Sequence, residues 1–182
     1  RTRNSMEMAA VQLGGHPVYI QAEEVGLGER ETAEDIANTL ACYHRVIAAR
    51  VKEHGHLTAM AAATDVPVLN MLSDTDHPLQ GLADLLTIKQ LTGKLAGAKI
   101  AYVGDGNNNV AKSLAEGCAL AGATLTIASP EEFQLAAPPE GVRQVVNPAE
   151  AVAGAQVVYT DVWVSMGQAE ETARRNAAWV TP

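Results

Sequence analysis

Seven short apolar runs, spaced along the chain with helical stretches between most of them, constrain this sequence more than any other feature. They fall at Val18–Ala22, Val46–Ala49, Val66–Leu69, Lys99–Val103, Thr124–Ala128, Val142–Val146 and Gln156–Tyr159. Runs of this length with apolar, β-branched content read as buried strands, and strands alternating with helices imply parallel sheets flanked by helices. The expected fold class is therefore α/β, with two βα domains. The stretch Pro78–Leu91 is the most helical segment in the middle, and Thr92-Gly93-Lys94-Leu95-Ala96-Gly97 breaks it. This places a domain boundary near Gly93, giving domains 1–92 and 93–182, with a ligand cleft expected between them. Near the start, Ile36, Leu40 and Tyr43 recur at helical spacing behind a Thr32/Asp35 capping pair.

Charge and cysteine usage narrow the function. The formal net charge is −8 and the arginines are not gathered into a basic run, which argues against nucleic acid. An anionic ligand must then be held by local donors. With 47% hydrophobic residues the chain can bury one large core or two small ones, yet it has no apolar run of the roughly 18 residues that suggest a membrane span. Cys42 and Cys118 sit in alanine-rich helical patterns, away from disulfide or metal spacings. Buried thiols in a reducing, cytoplasmic setting are expected. The chain opens on Arg1 and ends on Thr181-Pro182, which reads as an excerpt truncated at both ends.

Ligands of open α/β sheets bind beyond the carboxyl ends of strands, so residues following the apolar runs are the site candidates. Arg1-Thr2-Arg3 leads into a helix-forming stretch whose first free N–H groups, with the guanidinium groups, suit a phosphate; a surface arginine pair is the competing reading. Arg50 closes the run Val46–Ala49, where Lys52 and Glu53 also suit a solvated strand end. His77-Pro78-Leu79-Gln80 follows Val66–Leu69; the proline fixes an extended residue before a helix, aiming the imidazole and carrying Gln80 along the first turn. His54 and His56 lack a partner cluster and read as loop residues. The loop Gly104-Asp105-Gly106-Asn107-Asn108-Asn109 fails the dinucleotide fingerprint at its sixth place, and its amides suit an amino-acid head group better than pyrophosphate. Asp161 follows Val157-Val158-Tyr159 and can pair an ammonium; Ser165 and Met166 lie in the same loop, for which an ordinary N-capped turn is the plainer reading.

In this order, the arginine-threonine pair, Arg50, His77-Pro78-Leu79-Gln80, the glycine-asparagine loop and Asp161-Val162-Trp163-Val164-Ser165-Met166-Gly167 resemble the ornithine carbamoyltransferases, within the wider aspartate/ornithine group. The resemblance implies two βα domains joined by interdomain helices, the first binding carbamoyl phosphate and the second L-ornithine. It implies phosphate contacts from Arg1 and Thr2, and contacts to the carbamoyl oxygen and amide from Arg50, His77 and Gln80. Ornithine would be held by Asn109, or by Asn108 if the glycines anchor the match, and by Asp161, Ser165 and Met166. The implied products are citrulline and phosphate, with no metal or organic cofactor, and the implied assembly is a homotrimer. On this match a family serine-threonine pair would precede Arg1, and a cysteine-leucine-proline loop and a terminal arginine would follow Pro182. Gly26 stands where the family has a glutamine that reaches a neighbouring subunit. A transferase for another amine, or a noncatalytic relative that binds the same ligands, are the alternatives; a nucleotide-binding oxidoreductase rests only on Gly104 and Gly106.

Overall fold

The computed structural model describes residues 1–162, which divide by packing into two compact units, Arg1–Leu72 and Ser73 onward. The first unit contains α1 (Thr2–Gln12), α2 (Ala22–Val25), α3 (Ala33–Ala41), β1 (Ile47–Arg50), α4 (His54–Ala63) and β2 (Val68–Leu72). β1 and β2 pair in parallel, with Ile47 opposite Val68. A small core of Ala33, Ile36, Ala37, Ile47 and Met60 joins α3 and α4 to this pair. The expected cap holds: Thr32 Oγ1 accepts the Asp35 backbone N–H at 3.1 Å, satisfying one of the donors that a helix start leaves open.

Three local expectations need correction. Val18–Ala22 is not a strand, because no neighbour pairs with it and the Gln21 N–H is taken by Glu24 Oε2 at 2.6 Å as α2 begins. The second strand starts at Val68 rather than Val66, since Pro67 has no N–H to give a ladder and only its carbonyl pairs, accepting from Ile47 N at 2.9 Å. Tyr43 lies beyond the end of α3 and is exposed, so helical spacing does not carry it into the core.

The second unit holds α5 (Pro78–Thr92), β3 (Lys99–Val103), α6 (Asn109–Ala121), β4 (Thr124–Ala128), a 3₁₀ turn at Glu131–Phe133, β5 (Val142–Val145), α7 (Pro148–Val152) and β6 (Val157–Tyr159). Its four strands are all parallel in the order β5-β4-β3-β6. From β3 the chain winds one way through β4 and β5, and then returns to place β6 on the other side. Such a reversal opens a crevice at the carboxyl ends of the two strands flanking it, here β3 and β6.

The core beneath that crevice consists of Ile100, Tyr102, Leu125 and Ile127 from the sheet, with Leu85 and Ile88 of α5 and Leu114 and Cys118 of α6. α5 and α6 approach closely because glycines face the contact. A Cβ on Gly117 would stand 2.8 Å from Leu85 Cδ1, and one on Gly81 would stand 3.2 Å from the Ser113 carbonyl oxygen. This packing groups α5 with the second compact unit, which begins at Ser73. Gly81→Val should therefore force the helices apart and destabilise the second unit by about 1–3 kcal/mol, read as a lowered urea midpoint by circular dichroism.

Candidate functional site

In the first unit the structure brings two candidates into contact. Arg50 Nη1 donates to Thr2 Oγ1 at 2.9 Å, joining the end of β1 to the first turn of α1. Arg1 is the residue preceding that helix. The helix leaves its first backbone N–H groups without intrahelical partners, so a hydroxyl, a guanidinium and several amide donors share one locality suited to a phosphate or carbonyl oxygen. Arg3 is used differently: it pairs with Glu7 at 3.0 Å and lies 4.0 Å over the Tyr19 ring.

Gly26 has a local explanation. Its φ of +62° is in the left-handed region, its carbonyl accepts the N–H groups of Glu29, Arg30 and Glu31, and a Cβ there would meet Arg30 Cβ at 2.8 Å. A tight turn occupies this position, and a glutamine would be strained in it.

In the second unit, Asn109 opens α6 after β3 and Asp161 follows β6, the two strands that flank the crevice. His77 precedes α5 with Pro78 at the first helical position, and Gln80 follows within the first turn. The loop carrying His77 is tied to one face of α6 at three points. Asn109 Nδ2 donates to the Ser73 carbonyl at 2.7 Å, Lys112 pairs with Asp76 at 2.9 Å, and Ser113 Oγ accepts the His77 backbone N–H at 2.9 Å. Positions 109, 112 and 113 share a helix face, so one element holds the whole turn.

The glycine-asparagine loop after β3 divides its labour. Asn108 is consumed structurally: its Oδ1 caps α6 through Ala111 N at 2.7 Å and its Nδ2 donates to the Tyr102 hydroxyl at 3.1 Å. Asn107 is exposed, and Asn109 is half-buried at the helix start. Gly106 admits close packing, because a Cβ would lie 3.0 Å from both Ile127 Cγ2 and the Phe133 carbonyl oxygen. That glycine serves the core.

Beyond β6, Asp161 is half-buried; Ser165 and Met166 lie outside the described residues. Between Gln80 and Asp161 stands a group that motif reading missed. Asp84, one turn after Gln80 on α5, accepts Gln80 Nε2 at 2.8 Å. Burial raises its pKa above the ordinary carboxylate range, an effect opposed by contacts from Gln80 and Tyr159 and reinforced by the Asp161 charge. Tyr159 stacks on the fully buried Tyr102 with ring centroids 5.6 Å apart, and burial likewise raises both phenols. The available signal was the four-residue spacing of Gln80 and Asp84, which puts both on one helix face.

Two family models match the chain in succession. The carbamoyl-phosphate-binding domain of aspartate/ornithine carbamoyltransferases matches residues 1–90, and the Asp/Orn-binding domain of the same family matches residues 96–180. The chain belongs to the aspartate/ornithine carbamoyltransferase family. It is 48% identical over 181 residues to an ornithine carbamoyltransferase of Thermus thermophilus, covering 96% of this chain and 59% of that protein. With an ornithine carbamoyltransferase of Hyperthermus butylicus it shares 50% identity over 189 residues, covering 96% and 60%. Among solved structures, the Pyrococcus furiosus ornithine carbamoyltransferase aligns with a TM-score of 0.88 at 40% identity, covering 97% of this chain and 60% of that one. The chain thus spans about three-fifths of these relatives' length. Among the described residues, no helix is long and apolar enough to cross a membrane, and no group of three potential metal ligands gathers.

The raised pKa of Asp84 has a consequence for stability. A carboxyl that holds its proton more tightly when folded favours the folded state most fully below the unfolded value of 3.8, and that contribution is lost as pH rises through the folded value. Asp84→Asn should remove this component, so its melting temperature relative to wild type should be higher at neutral pH than at pH 3, measured by calorimetry at both.

Proposed function

We propose that the protein carrying this chain transfers the carbamoyl group of carbamoyl phosphate to the side-chain amine of L-ornithine, giving L-citrulline and phosphate. The observation that carries this reading is the ordered match of both family domains to a chain whose strand ends bear the candidate residues. The Arg50–Thr2 contact supports a phosphate-proximal cluster in the first unit. The tie between Asn109 and the turn carrying His77, with Asn109 after β3 and Asp161 after β6, supports an amide and amino-acid site in the second.

In this mechanism the neutral side-chain nitrogen attacks the carbamoyl carbon, a C–N bond forms, and the C–O bond to phosphate breaks. The amine loses one proton and the departing phosphate gains one. Arg1 and Thr2, with the first N–H groups of α1, hold the phosphate. Arg50, His77 and the Thr2 hydroxyl donate to the carbamoyl oxygen as negative charge builds on it, the type of fixed donor worth about 3 kcal/mol each in comparable sites. Gln80 holds the carbamoyl amide. Asp161 pairs the ornithine ammonium and Asn109 its head group, with Ser165 and Met166 completing that contact. The residues in these roles supply the chemistry without a metal or organic cofactor.

We assign the protein to the cytoplasm, a setting that suits its two free thiols, and to a homotrimer, the assembly that the family resemblance implies. Light scattering on the full-length protein should give three times the subunit mass. Full-length protein incubated with carbamoyl phosphate and ornithine should form citrulline, and carbamoylation of a different amine instead would overturn the assignment. Because the attacking amine must be neutral, kcat/KM for ornithine should climb about tenfold per pH unit below the amine pKa, roughly 10. Asp161→Asn should depress ornithine use about 100-fold while leaving carbamoyl phosphate binding, measured by calorimetry, within about twofold.

A further inference from the structure

A glutamine that reads a ligand has two chemically different ends, a carbonyl that accepts and an NH₂ that donates, and it is useful only if one is presented consistently. Gln80 donates through Nε2 to Asp84 Oδ1 at 2.8 Å. An ionised carboxylate accepts only, so this contact is compatible with one sense of the amide: Nε2 toward Asp84 and Oε1 away from it.

The carboxyl is itself held in place. Asp84 is half-buried on α5, and the Tyr159 hydroxyl at the end of β6 interacts with it. Tyr159 is braced by its stack on Tyr102, whose hydroxyl donates to the Asp105 carbonyl at 3.2 Å and accepts Asn108 Nδ2. The second oxygen, Asp84 Oδ2, is buried and makes no well-formed hydrogen bond. A carboxylate in this environment is costly to stability, since an apolar residue of similar volume would carry no desolvation penalty. The cost calls for a reason other than packing.

We propose that Asp84 is a positioning residue, fixing the Gln80 carboxamide so that Oε1 faces an N–H donor of the ligand, namely the amide nitrogen of a carbamoyl group. This deepens the transfer reaction proposed above and rests on it for the ligand, whereas the Asp84–Gln80 pairing stands on geometry alone. It also links the residue that reads the carbamoyl amide to the strand end bearing Asp161, because Asp84 reaches Gln80 on its own helix and Tyr159 on β6.

Two sets of variants in the full-length protein test the idea. Asp84→Leu removes the acceptor while keeping the branching of the side chain, and should lower kcat/KM for carbamoyl phosphate about tenfold or more with no loss in urea stability. Asp84→Asn can still accept through Oδ1 and should recover activity to within about threefold of wild type. In a Gln80→Ala background, Asp84→Leu should change kcat/KM by less than about twofold, because the residue acts through an amide no longer present. Full activity in Asp84→Leu, or an undiminished loss in the Gln80→Ala background, would overturn the proposal.

A readout independent of turnover separates the two readings. The Gln80 side-chain amide nitrogen, followed by NMR, should shift as Asp84 titrates, and should not do so in Asp84→Asn. Among the described residues, the titratable groups that interact with Asp84 are Tyr159, Asp161 and Cys118 of α6. Burial pushes the Cys118 thiol up to about 12 and the Tyr159 phenol higher still, so neither titrates in the same range. Asp161→Asn controls for the remaining carboxylate. Absence of the Gln80 shift would sink the pairing even in an active enzyme; its presence in a protein that forms no citrulline would retain the pairing and reject the ligand.

Discussion

The close approach of α5 and α6 is the constraint on which the second unit depends. Gly81 and Gly117 remove the side chains that would hold these helices apart, and Leu85 fills the space left beside Gly117. Once the helices are in contact, Asn109, Lys112 and Ser113 on α6 each reach the turn before α5. The His77 main chain is thereby fixed by a hydroxyl that belongs to the neighbouring helix. Packing and site geometry are one problem here, because the interior transmits small changes in spacing to every group that it positions.

Beneath that contact lies a polar chain that would be unfavourable if any member were left alone. Tyr102 is fully buried, yet its hydroxyl both donates, to the Asp105 carbonyl, and accepts, from Asn108. Asn108 in turn caps α6, so the loop after β3 is anchored from below by a phenol and closed from above by a helix start. Tyr159 extends the chain through its ring to Asp84 and the end of β6. Buried networks of this kind reward completeness, since a low-dielectric interior strengthens satisfied bonds and penalises orphaned groups. Asp84 Oδ2, buried and without a well-formed hydrogen bond, is the exception, and it sits beside the residues that carry the proposed chemistry.

The first unit reaches its candidate cluster by simpler means. A two-stranded parallel pair delivers Arg50 at its end, and the first turn of α1 supplies Thr2 to meet it. The Gly26 turn is local in origin: three N–H groups converge on one carbonyl, and the backbone sign that permits this excludes ordinary side chains.

The sequence by itself determined the fold class, six of the seven strands to within a few residues, the Thr32 cap and the helix following His77-Pro78. These follow from local chemistry: apolar periodicity, a hydroxyl at a helix start, a proline with no N–H. It also carried the family, through the order of short motifs along the chain. Val18–Ala22 misled because apolar content alone cannot supply a pairing neighbour, and Pro67 shifted a strand because ladder bonds need donors. Only tertiary structure decided that Asn108 is a cap, that α5 packs with the second unit, that Ser113 holds His77, and that Asp84 holds Gln80. Each depends on which surfaces two distant segments bring together, and the glycines that permit that approach acquire their meaning only when the opposing side chain is in place.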